Sequence, residues 1–145
     1  MLKKTKRKQT RKKKFKVSTY KKKLHKLWSE AVRERDGGLC QWCGKPGHHA
    51  HHIVARGMGL AGNMGSFDIH NGMTLCYRCH MHKLHCDIDG YKLFRDEWLL
   101  IRGLEYMDMR IGYGGCRPKF DQEFYTRQKE SLEKAILKYR GRGLC

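Results

Sequence analysis

Two Cys-x-x-Cys pairs, Cys40–Cys43 and Cys76–Cys79, constrain the fold of this chain more than any other feature. Each two-residue gap lets a pair of sulfurs converge from one tight turn. Two such turns close a site of four thiolates, soft ligands whose tetrahedral arrangement selects zinc. A site closed in this way admits no water and is structural. A chain of 145 residues holds one compact domain with extensions, and its small core benefits from such a staple. Seven cysteines are present. The odd count, and the lack of an apolar secretion leader in Met1 to Tyr20, favour metal ligands over disulfides. Cys86, Cys116 and Cys145 have no partner at ligand spacing and read as incidental thiols.

The net charge of +18 asks for a polyanionic partner. Nucleic acid fits, because each phosphate neutralised by Lys or Arg releases counterions. An anionic membrane surface competes on charge alone. No apolar stretch reaches spanning length, so the expectation is a cytoplasmic protein without a membrane partner.

Residues 1–17 form a Lys/Arg run with almost nothing to bury. The expectation is a disordered arm, with Lys12, Lys13 and Lys14 gripping phosphates. From about Thr19, residues Leu24, Leu27, Trp28, Ala31 and Val32 recur at helical spacing. Ser18 or Thr19 is placed to cap that helix, and Asp36-Gly37-Gly38 to stop it. Lys21, Lys22 and Lys23 lie on its polar face and, with Arg56, are further nucleic-acid candidates. Cys40 to His52 reads as a knuckle turn and a short strand. Residues 56–66 read as a flexible glycine-rich loop, Met73 to Leu75 as a second strand, and His80 to about Cys86 as a short helix. Tyr91 to Arg102 has Phe94, Trp98 and Ile101 on one helical face, with Gly103 as a stop. Beyond Pro118, Phe120, Phe124, Gln128, Leu132, Ala135, Ile136 and Tyr139 predict a long terminal helix. The division expected is a basic arm (1–17), a core with its leading helix (18–90), and a helical extension packed on that core (91–145). The class is α+β.

The 32 residues between the two cysteine pairs exceed common ribbon spacings, so the pinned loop has room for a functional group. It contains His48-His49-Ala50-His51-His52-Ile53 and then Asn71-Gly-Met-Thr-Leu-Cys76, followed by Tyr-Arg-Cys79-His80. With Arg33 to Gly44 before it, this run resembles the HNH endonuclease family in its four-cysteine form, over about Trp28 to His85. The remainder loosely resembles bacteriophage recombination nucleases of the NinG type, which would imply a bacterial host cytoplasm.

The HNH resemblance implies a small ββα-metal core flanked by helices. It implies His52 as the general base that deprotonates water, His51 as a metal ligand where the family often has Asp, and His80 as the last metal ligand. Asn71 matches the central Asn that orients the base or braces the loop. A third ligand is open: His85 lies five residues beyond His80, where four would share a helical face, and Asp87 or Asp89 offers an oxygen instead. One catalytic divalent cation is implied beside the structural zinc, drawn from Mn²⁺, Co²⁺, Ni²⁺, Mg²⁺ or Zn²⁺. Imidazole donors disfavour Mg²⁺, which prefers oxygen. His48 and His49 are expected to be exposed turn residues.

The leading expectation is therefore a metal-dependent nuclease acting on DNA, by nicking or double-strand cleavage. A non-catalytic zinc-stapled DNA-binding module and an RNA-directed protein are the rivals. Monomer and dimer are equally compatible with the sequence.

Overall fold

The computed structural model describes residues 15–56, 65–84, 87–101 and 120–141, without the side chains of residues 91, 95 and 98–101. The basic arm through Lys14, Gly103 and residues 107–117 lie outside the described residues. The architecture is α+β: helices flank a two-stranded antiparallel sheet that carries the cysteine cluster beside it.

Helix α1, Val17–Arg35, buries Leu24, Trp28, Ala31 and Val32. These positions are spaced by four, three and one, the stripe of a core-facing helix. The helix starts earlier than its sequence cap signal. Lys16 is the N-cap with no side-chain bond, and Ser18 and Thr19 lie inside the first turn. Its end follows expectation: Gly37 and Gly38 adopt φ of 61° and 68°, which a residue with a side chain rarely adopts.

Strands β1, His49–His52, and β2, Gly72–Leu75, pair with His49 opposite Leu75 and His52 opposite Gly72. All four residues of β2 are buried, because α1 covers one face and the cysteine knuckle the other. Gly72 is where α1 and β2 meet most closely. A Cβ there would lie 2.5 Å from Val32 Cγ2 and 2.7 Å from Trp28 Cζ2. The glycine-rich loop expected over 56–66 ends differently from its reading. Gly65–Phe67 is a 3-10 turn, and all three of its residues are buried. Residues 57–64 lie outside the described set.

Cys79–Lys83 winds as a π-helical turn where an ordinary helix was expected. Helix α2, Ile88–Ile101, begins before Tyr91 and runs across position 90, the expected edge of the core. Its Phe94 stacks on Trp42 at 4.7 Å between ring centroids, tying it to the cysteine knuckle. Helix α3, Gln122–Gly141, is started by Asp121, whose carboxylate accepts the Phe124 N–H at 2.9 Å. It packs on α1 through Phe124, Tyr125, Leu132 and Ile136. Two apolar clusters result. One lies between α1 and α3; the other, with Cys40, Ile53, Met73, Leu75 and Cys79, surrounds the knuckle.

Candidate active site

The first knuckle is built by backbone bonds. Cys40 N–H donates to Lys45 O at 2.7 Å, Gly44 N–H donates to Cys40 O at 2.8 Å, and Gly44 takes φ 69° to close the turn. The second lies where β2 enters the π-turn, and Cys79 N–H donates to Cys76 Sγ at 3.4 Å. The four sulfurs of Cys40, Cys43, Cys76 and Cys79 all lie within 4.8 Å of one another. Cys43 Sγ and Cys76 Sγ are 3.7 Å apart. That is far beyond a disulfide's ~2.05 Å and close to the ~3.8 Å edge of a tetrahedron with ~2.3 Å zinc–sulfur bonds. The donor set therefore fits zinc. Backbone hydrogen bonding at Lys45 draws the Cys43 thiol down to about 7, toward its ligating thiolate form.

Beside this cluster, alternation along β1 divides the histidines between two faces. His49 and His51 point toward His80. The His51 ring meets His80 edge-on at 5.3 Å between centroids, and the His49 ring lies parallel to His80 at 5.1 Å. His49 thus differs from the expected exposed turn residue, whereas His48 is exposed. The missed signal was its two-residue offset from His51, which puts both on one strand face.

His52 points the other way, onto α1. Its ring stacks on Trp28 at 3.7 Å and 12°, and its Nε2 lies 3.0 Å from Ser66 O. A carbonyl only accepts, so Nε2 carries the proton and Nδ1 keeps the lone pair in the neutral ring. Burial first, then the positive charges of Arg56 and His25, push the His52 pKa down to about 4 against the opposing pull of the Ser66 carbonyl. His52 is consequently neutral near pH 7. Trp28 is itself fixed, its Nε1–H donating to Asp68 O at 2.7 Å.

Asn71 is fully buried and uses both ends of its amide. Oδ1 accepts the Val54 N–H at 2.7 Å, and Nδ2 donates to Val54 O at 3.1 Å and Gly65 O at 3.0 Å. One side chain thereby joins the segment leaving β1 to the turn bearing Ser66. A second buried tie was not legible in the sequence. Asp36 accepts the Thr74 N–H at 2.8 Å and pairs with Arg35, whose guanidinium also donates to the Ile69 and Gly72 carbonyls. This clamp fastens the end of α1 to β2.

The remaining candidates are dispersed. His85 lies outside the described residues. Asp87 Oδ1 accepts the Gly90 N–H at 2.9 Å, and exposed Asp89 sits 3.8 Å from Lys92. Neither joins a cluster of three or more ligands among the described residues, where the four cysteines alone do so. Lys21, Lys22 and Lys23 are exposed on α1, Arg56 is exposed beside His25, and Lys12, Lys13 and Lys14 are outside the described residues.

Residues 40–85 match the family model of the HNH endonucleases. The middle of this chain is therefore similar to an HNH domain. The match spans both knuckles, the paired strands and the π-turn, so all four clustered cysteines lie within the matched segment. An HNH domain supports a nuclease-type function and implies a nucleic-acid substrate. No curated protein and no solved structure matches the chain significantly. No helix among the described residues is long and apolar enough to cross a membrane.

Proposed function

We propose that the protein is a metal-dependent endonuclease that hydrolyses phosphodiester bonds in DNA, with His52 as the general base. The observation that carries this reading is the fixed tautomer of His52. The Ser66 carbonyl accepts the hydrogen bond from Nε2–H, which leaves Nδ1 to accept a proton from water; burial keeps the ring neutral at pH 7 and makes it a weaker base than a free imidazole. Asn71 supports that arrangement by bracing the turn that presents Ser66. Trp28 holds the ring plane.

His51 and His80 are the proposed ligands of the catalytic cation, their rings meeting on the opposite face of β1. A divalent cation held there would supply positive charge to offset that building on the phosphate and the departing 3′ oxygen. The third ligand is proposed as His85. Lys21 to Lys23, Arg56 and the basic arm hold the phosphate backbone, consistent with the net charge of +18. Residues 18–90 are proposed as the catalytic unit and 91–145 as an extension.

Supercoiled plasmid incubated with the protein tests the reading. Nicked or linear product is expected, faster with Mn²⁺, Co²⁺ or Ni²⁺ than with Mg²⁺, because the proposed ligands are imidazoles. Equal or faster cleavage in Mg²⁺ alone would contradict an all-histidine cation site.

A specific observation also favours a second reading, nucleic-acid binding without hydrolysis. His52 is half-buried, stacked and bonded, as a purely structural histidine would be, and it faces away from His51 and His80.

A further inference from the structure

Next to His52, between the first half of α1 and the start of α3, lies a cavity of about 380 Å³. Val17, Lys21 and His25 form one wall, four residues apart and hence on one helical face. Ser66 lines it with the residue whose carbonyl holds His52, and the His25 ring sits 6.0 Å from that of His52. The cavity therefore opens beside the proposed base.

Its chemistry has two parts. Lys21, Arg56 and His25 supply cationic or donor groups, and no acidic side chain joins them among the described lining residues. The crowding of positive charge is visible in His25, whose pKa is lowered by burial and then by Arg56 and Lys21. The apolar part rests on a floor of buried Phe67 and Tyr125. Above it Phe120 and Val17 remain 37% and 40% exposed, so an apolar edge lies open beside the cations. Cations with an exposed ring form the pairing that binds a phosphate together with the π-face of a base. The volume suits one small ligand and not a duplex. A base within a duplex has both faces covered by its neighbours, so only an unpaired or extruded nucleotide offers a free face.

We propose that this cavity holds one unstacked nucleotide of the substrate strand, its base against Phe120 and Val17 and its phosphate between Lys21 and Arg56. The inference rests on the nucleic-acid reading given above and names the substrate form: DNA with an unpaired nucleotide beside the bond to be cut.

The test measures binding by the full chain without added divalent cation, so that no cleavage competes. A single-stranded oligonucleotide is compared with a duplex of the same length, and with free dAMP. Phe120→Ala should weaken single-strand binding about tenfold, the scale of one base–aromatic stack, and leave duplex binding within about twofold. Phe120→Trp should restore it. Lys21→Ala should weaken single-strand binding more than duplex binding. An equal effect of Phe120→Ala on both polymers, or none on either, would overturn the proposal. So would dAMP binding as tightly as the oligonucleotide, which would mark a site for free nucleotides. Phe120-dependent single-strand binding by a chain that never cuts plasmid would uphold the cavity and remove the nuclease reading. Cleavage with single-strand binding unmoved by Phe120→Ala would do the reverse.

Discussion

His52 is held by three neighbours of different kinds: Gly72 across the hairpin, the Trp28 ring against its face, and the Ser66 carbonyl at Nε2. Gly72 is the least obvious of these. Its lack of a side chain lets β2 approach α1, and that approach brings the His52 ring onto Trp28. Gly72→Ala should therefore destabilise the protein by about 1–3 kcal/mol, the range for overpacking a core. Thermal melting checks this, and an unchanged midpoint would mean that α1 yields easily. At this scale the sequence was legible where a residue type has one chemical use. The four cysteines could be grouped from spacing alone. It was not legible where a role depends on a partner distant in the chain. Trp28 looked like any residue of an apolar stripe, and the Arg35–Asp36 clamp joins α1 to carbonyls 34 and 37 residues away.

The elements divide by what stabilises them. α1 and α3 bury an ordinary apolar interface, and Arg140 of α3 adds exposed pairs with Glu30 and Glu34 at 2.6 and 3.0 Å. Exposed pairs of this kind contribute little. The hairpin of four-residue strands has no such interface on its knuckle side, where Cys40 and Cys79 are themselves part of the core. Two strands of this length are marginal without further support. Cys43→Ser should therefore abolish stoichiometric zinc, measured as one ion per chain by elemental analysis in the parent protein. It should also lower the melting midpoint, since structural zinc contributes folding energy directly. Full thermal stability after zinc loss would show that α1 and α3 suffice. The helices followed their apolar periodicity, although α1 and α2 begin earlier than expected. The π-turn at Cys79–Lys83 had no periodic signal, because two histidines and a lysine occupy a segment with little apolar pattern.

Across the whole molecule, charge and catalytic geometry are separable. On the proposed reading, the +18 charge acts through many phosphate contacts, which carry no sequence information. Removing Met1 to Lys16 should weaken binding to all sequences alike and flatten its dependence on salt. A change in which sequence is cut would instead make the arm a reader. In the proposed reading, the geometry at His52 is what turns that grip into hydrolysis. The most direct measurement compares plasmid cleavage by the parent chain, His52→Ala and His52→Phe, each with its zinc content and DNA affinity recorded. The phenylalanine keeps a flat ring on Trp28 and has no nitrogen to accept a proton. The account predicts that both substitutions lower cleavage by about 10²-fold or more, the usual scale of general-base catalysis, while zinc and binding stay intact. Cleavage by His52→Phe at the parent rate would contradict it and leave His52 a packing residue.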